Sequence, residues 1–232
     1  MLKRIFKIIK TIATVVGMVV MAFFFIAILV WGVDLDGFEY NENPLITSNN
    51  LHNEGPFVFE NDSLFEAFYI GGNQKEGFYL RNEAIIKNTP TPLSCYYFPD
   101  SSSFNFEIQS TIHNPAAYHN IDGSQKILAI SDIEGNFNTL RKFLINNHVV
   151  DNELNWIFGR NHLVFNGDMV DRGYFVHQVL WLIYKLDYQS QAAGGAVHYI
   201  LGNHEIMNMQ GNFRYAKSKY KYAASILDLQ QI

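Results

Sequence analysis

The sequence predicts an α/β protein, entered through a transmembrane helix and a small β-rich segment. Three observations carry that expectation. Residues 11–33 form an apolar run without a single charge. Residues 56–124 break into short aromatic and β-branched stretches parted by turn residues. From Lys126 onward, apolar runs of strand length alternate with helical periodicity, the pattern of an open sheet flanked by helices. The expected division is therefore 1–33, a cytoplasmic stub and membrane anchor; 34–55, a linker; 56–124, a β-rich accessory segment; and 125–232, the α/β domain.

The anchor comes first. Thr11 to Val33 exceeds the ~20 apolar residues that cross a bilayer core. Lys3, Arg4, Lys7 and Lys10 precede it, and Asp34, Asp36, Glu39 and Glu42 follow. Trp31 sits near its end, where an indole rests well at the interface. The charge bias puts the N-terminus in the cytoplasm and everything past residue 34 outside, on the periplasmic side in a Gram-negative cell. A cleaved signal peptide is the competing reading, but its apolar core would be ~7–15 residues followed by a small-x-small site, which Ile28-Leu29-Val30-Trp31-Gly32-Val33 lacks. A buried core helix is the plainer alternative, against which stand the all-round apolar surface and the basic start.

Beyond the first ten residues the chain carries 13 basic residues against 22 acids. That balance offers no general basic patch for nucleic acid, and no nucleic-acid partner is expected. The single cysteine, Cys95, has no disulfide partner within the chain and reads as an ordinary core or surface residue.

Residues 34–55 are rich in Asn, Asp, Glu and Gly and read as the linker. Phe57-Val58-Phe59, Glu66 to Ile70, Gly77 to Leu80 and Phe104 to Ile108 read as strands of an antiparallel unit, separated by Gly71-Gly72-Asn73, Asn88-Thr89-Pro90 and Pro99 to Ser103. In the α/β part, Ile127 to Ile130, His162 to Phe165 and Ala196 to Leu201 are strand candidates. Asn138 to Asn146 reads as a helix with Asn138 as its N-cap. Tyr174 to Ser190 is the clearest helix, with Val176, Val179, Leu180, Ile183 and Leu186 at three- and four-residue spacing. Tyr215 to Leu229 reads as one further helix.

Each strand candidate ends in a loop with chemistry in it, where open α/β sheets put their ligands. The loops are Asp132-Ile133-Glu134-Gly135-Asn136, Gly167-Asp168-Met169-Val170-Asp171-Arg172-Gly173 and Gly202-Asn203-His204-Glu205. Asp132 and Glu134 alone say little, because acids in turns are usually solvated or cap a helix. The second loop says more. Asp168 can bridge two hard cations through its two oxygens, and Arg172 can grip a phosphate with paired donors. In the third, Asn203 offers a carbonyl oxygen and His204 an imidazole suited to acid catalysis. Taken singly, Asp171 and Arg172 could be a local ion pair and His204 a satisfied turn residue. Three such loops at three strand ends favour phosphate-ester hydrolysis at a paired metal site, with Asp171 orienting His204.

These loops resemble the signature of the calcineurin-like metallophosphoesterases, and within them the phosphoprotein phosphatase branch, whose loops read Gly-Asp-x-His-Gly, Gly-Asp-x-Val-Asp-Arg-Gly and Gly-Asn-His-Glu. Val197 to Gly211 resembles the bacterial Shewanella-like phosphatases in particular. The resemblance covers residues 126–215. It implies the N-terminal part of a four-layer α/β/β/α sandwich and two divalent metal ions, Mn first, with Fe, Mg or Zn as alternatives. It assigns Asp132 and Glu134 to one metal, Asp168 to the bridge and Asn203 to the other. Arg172, Asn203 and His204 would contact the phosphate, and His204, Asp171 and Arg172 would be the catalytic set. The substrate would be a phosphomonoester, more narrowly a Ser/Thr phosphoprotein.

Two departures qualify this. The family's metal-binding histidine falls at Glu134, which either replaces it as an oxygen ligand, favouring Mn or Mg, or leaves the metal altogether. No histidine follows His204, whereas the family draws two more from later loops, so the chain is expected to be a C-terminally truncated form, weakly active or inactive. Two other readings stay open: a pseudophosphatase that binds a partner, and a dinucleoside polyphosphate hydrolase.

Overall fold

The computed structural model describes residues 33–34, 39–40, 50–87, 89–109 and 123–228. They belong to two compact units, Met1–Ser48 and Asn49–Ile232. In the first, strands β1 (Val33–Asp34) and β2 (Glu39–Tyr40) pair antiparallel. Apart from Val33, the expected anchor over residues 11–33 lies outside the described residues. Among the described residues no helix is long and apolar enough to cross a membrane.

The second unit opens with an antiparallel sheet of β3 (Asn50–Glu60), β4 (Leu64–Asn73) and β5 (Gly77–Ile86). Phe65, Ala67 and Tyr69 alternate into the core, as a half-buried strand requires. The hairpin of β6 (Pro92–Tyr97) and β7 (Ser102–Glu107) follows, buried through Leu93, Cys95, Tyr97, Phe104 and Phe106. Then comes a parallel sheet in the order β10-β9-β8, made of β8 (Ile127–Ile130), β9 (His162–Asn166) and β10 (Ala196–Ile200). Four helices accompany it: α1 (Phe137–Asn146), α2 (Val176–Ala192), α3 (Asn203–Met209) and α4 (Ser218–Ile226).

The division expected at residue 124 is a change of sequence texture and not of packing. The hairpin's aromatic face lies on α1, α2 and the turn before α2. Phe104 stacks on Phe137 at 5.7 Å, Phe106 on Trp181 at 4.5 Å, and Tyr97 meets Phe175 at 4.6 Å. One continuous core therefore joins Phe65 and Leu93 to Leu140, Phe165, Leu182 and Leu186. Burying each of the larger of these side chains stabilises the fold by roughly 1.5–3 kcal/mol. A smaller cluster of Leu51, Ile70 and Ala223 docks α4 on the first sheet. On the parallel sheet, Ile127 and Ile200 are half-exposed.

Several expectations are corrected. The linker ends sooner than expected, because β3 begins at Asn50; Leu51 is buried and Glu54 is paired inside. Gly71 and Gly72 do not end β4 but lie within it. A Cβ on Gly71 would come 2.4 Å from the ring of Tyr79, its cross-strand partner, so glycine is what lets that ring cross the backbone. Strand β6 was not expected at all, although Leu93, Cys95 and Tyr97 alternate. The cap of α1 is Asn136, whose side chain accepts from Thr139 N at 3.1 Å, and not Asn138. Helix α4 is shorter than residues 215–229, because the backbone at Tyr215 is engaged elsewhere.

Candidate active site

The three loops close on one another through their backbones before any side chain is considered. Asp132 N donates to Gly167 O (3.2 Å), Glu134 N to Asp168 O (2.9 Å) and Gly135 N to Met169 O (2.9 Å). Gly173 N returns to Glu134 O at 2.8 Å. Asp132, Glu134, Asp168, Asp171 and Arg172 all adopt left-handed backbone, with φ of 55°, 48°, 58°, 70° and 52°. Each such residue costs roughly 1–2 kcal/mol, a strain that clusters where function demands a geometry. Glycine is obligatory at Gly167, where a Cβ would lie 2.5 Å from Gly202 Cα; the second and third loops touch there.

Glu205 ties those two loops together. Its Oε2 accepts from Asp168 N (2.9 Å) and Gly202 N (2.8 Å), and its Oε1 from Met169 N (2.8 Å) and Tyr199 Oη (2.9 Å). Burial alone would raise the Glu205 pKa; the backbone donors and Tyr199 outweigh it and hold the carboxyl below its ordinary value. Burial, then the bond to Glu205 and its charge, push the Tyr199 phenol well above its ordinary value, so it stays a donor.

His204 and Asp171 are both buried. Asp171 Oδ2 accepts from His204 Nδ1 at 2.9 Å, and Asp171 Oδ1 accepts from Asn208 Nδ2 at 3.0 Å. A carboxylate at Nδ1 assigns that nitrogen its proton and leaves Nε2 facing Glu134. Nε2 lies 3.8 Å from Glu134 Oε1, which is itself 2.8 Å from Arg172 Nη1. Asp168 Oδ1 accepts from His204 N at 2.9 Å. Arg172 lies over the ring of Tyr215 at 5.4 Å, and its N donates to Tyr215 O at 3.0 Å.

The structure thus brings Glu134, Asp168, Asp171, Arg172 and His204 into one contact network. Asp132 joins it through its backbone. Asn203 is the exposed first residue of α3. Four further residues take part. Glu205 and Asn208 had local signals, a carboxylate three residues past the helix start and an amide one turn beyond His204. Tyr199 and Tyr215 had none.

The donor set was expected to hold two cations. Asp132, Asp168 and Asn203 offer hard oxygens that suit one divalent ion completed by water and substrate. Glu134, expected as a ligand, is engaged by Arg172, and among the described residues no three His, Cys, Asp or Glu side chains gather as a metal-holding group.

Comparison with known proteins agrees with the geometry. The calcineurin-like phosphoesterase family matches residues 125–231; such enzymes use two divalent metals. Shewanella-like protein phosphatase 2 of Arabidopsis thaliana is 32% identical over 120 residues, 52% of this chain and 28% of that protein. Shewanella-like protein phosphatase 1 of Plasmodium berghei is 34% identical over 113 residues, 49% of this chain and 31% of that one. The crystal structure of a cold-active protein-tyrosine phosphatase from a psychrophilic Shewanella species superposes with a TM-score of 0.62 at 32% identity, covering 75% of this chain and 50% of that chain. The match therefore spans under a third of the two curated relatives and half of the solved one.

Proposed function

We propose that this chain, whose residues 125–231 match the calcineurin-like phosphoesterase family, carries a phosphomonoester-hydrolysing site. The observation that carries the reading is the buried His204–Asp171 pair, with Nε2 facing the same space as Arg172. Arg172 would hold the phosphoryl oxygens with paired donors and offset charge as the P–O bond breaks. As an imidazolium, His204 would give its Nε2 proton to the leaving oxygen, and the Asp171 carboxylate, fixed by Asn208, would orient the ring and stabilise the cation through the remaining Nδ1–H. A divalent ion on Asp132, Asp168 and Asn203 would supply water activation and charge neutralisation when bound. Oxygen donors favour Mn, then Mg, over Fe or Zn. The relatives' names speak of protein phosphatases, and one of tyrosine, so a phosphoprotein is the substrate class we favour, without choosing the residue.

The test is hydrolysis of an aryl phosphate by residues 34–232, with and without Mn. Weak, Mn-stimulated turnover is expected, lost in Asp168→Asn and His204→Asn. No Mn-stimulated turnover in the parent would sink the reading. The Glu134–Arg172 pair favours a second reading, a non-hydrolytic phosphate-binding module. It predicts phosphate binding without turnover, abolished by Arg172→Ala.

The uncharged run over residues 11–33 and its flanking charges support a single-pass anchor with the site on the extracytoplasmic side. Retention of the full chain in membranes after carbonate extraction tests it, and release into the supernatant would refute it.

A further inference from the structure

We infer that the segment following α3 is a recognition strap in which Arg214 binds a carboxylate beside the phosphate, making acidic phosphorylated peptides the preferred substrates. This rests on the phosphoester reading of the same site. Residues 210–227 hold four of the chain's 17 basic residues, Arg214, Lys217, Lys219 and Lys221, and none of its 22 acids. The local sign is thus the reverse of the rest of the domain.

The strap is held at several points. Tyr215 O accepts from Arg172 N, and the Tyr215 ring lies 5.1 Å from that of His204. Tyr220 Oη accepts from Val176 N at 2.8 Å, at the start of α2. Lys219 Nζ is 2.9 Å from Glu54 Oε2 in the interior. Arg214 is exposed, but its guanidinium sits 4.8 Å over the same Tyr215 ring that Arg172 covers at 5.4 Å. The two guanidinium groups are therefore no more than about 10 Å apart, the reach of roughly three extended residues. Arg172 is placed for the phosphate. Arg214, fixed to it through one ring, is placed for an anion within three residues of the phosphorylated one.

The experiment uses the full chain with three phosphopeptides, flanked by acidic, neutral or basic residues, each also made as a non-hydrolysable phosphonate. Turnover and binding are both measured, for the parent, Arg214→Ala and a charge-matched control on the β4–β5 turn, Lys75→Ala. The parent is expected to favour the acidic over the neutral phosphonate by about tenfold, as a charge-assisted hydrogen bond allows. The preference should shrink with added salt. Arg214→Ala should bring the ratio near one, and Lys75→Ala should keep it. Equal binding of acidic and neutral peptides by the parent overturns the inference, as does an Arg214→Ala variant that loses affinity for all three alike or a Lys75→Ala variant that lowers the ratio as much. Turnover without discrimination would defeat the strap and spare the hydrolase reading. Discrimination without turnover would do the reverse. Neither binding nor turnover would overturn both.

Discussion

Replacing Glu54 by Gln should cost more stability than any surface change, and the cost should vanish in acid. Glu54 is buried on β3, 2.9 Å from Lys219 Nζ and 3.1 Å from His177 Nδ1. Burial alone would raise its pKa. The Lys219 charge and the His177 hydrogen bond outweigh burial and hold it at about 2, against an ordinary 4.5. At 1.36 kcal/mol per pH unit, that gap amounts to about 3 kcal/mol. The folded-state value is the depressed one, so this stability is complete above pH 4.5 and is lost as pH falls from 4.5 toward 2. Gln at position 54 also strands the Lys219 ammonium, 3% exposed, and leaving a buried charge unpaired costs ~3–5 kcal/mol. For a unit of this size a loss of ~3–5 kcal/mol should lower the midpoint of thermal unfolding by roughly 6–20 °C at pH 7. Adding Lys219→Met should recover most of the loss, because an apolar pair can replace a buried ionic one. Circular dichroism melts at pH 7 and pH 3 make the comparison. A variant within about 0.5 kcal/mol of the parent at pH 7, or a difference that persists unchanged at pH 3, would refute the reasoning.

Three further outcomes are expected. Glu205→Gln removes the charge that four donors share and turns an amide N–H toward them, so the urea midpoint should fall by the equivalent of at least ~2 kcal/mol; an unchanged midpoint would show that the clamp contributes little. In Gly202→Ala the new Cβ would stand 2.4 Å from Asp168 Oδ1, which should displace that carboxylate and cut turnover by about tenfold or more while far-UV circular dichroism stays as in the parent; full turnover would contradict the crowding. Burial pushes the Cys95 thiol well above its ordinary value, so a thiol reagent should label it only after unfolding, and rapid labelling of the native chain would show that the hairpin opens.

What could be read from the sequence was local. Each of the three loops carries its chemistry within seven residues, bounded by an apolar run and a helical repeat, so Asp132, Asp168, Arg172 and His204 announce themselves. Helix α2 was plain for the same reason, with Val179 and Leu186 on one face. What escaped was set by partners far along the chain. Glu54 looked like a linker acid because its cation, Lys219, lies 165 residues on. Tyr215 looked like the start of a helix, yet its carbonyl and ring belong to Arg172. Gly71 looked like a turn because nothing nearby reveals the Tyr79 ring that crosses it. Glu134 read as a metal ligand by position, and its contact with Arg172, 2.8 Å away, had no local signal. The aromatic β-rich stretch passed for a separate unit because period-two patterning shows that a strand has a buried face, not what covers it.

The 165-residue reach from Glu54 to Lys219 also bears on how the protein is made. A ribosome adding ~5–20 residues each second needs roughly ten to thirty seconds between them. Through that interval the nascent first sheet has an acid on its inner side without Lys219 to meet it, and its Leu51–Ile70 patch has no α4 to cover it. Early closure of the β-rich part is thereby discouraged until the strap emerges, and the same contact that seats the strap completes the core. A holding chaperone would find its binding surface here, and slowing synthesis between these two points should lengthen its stay.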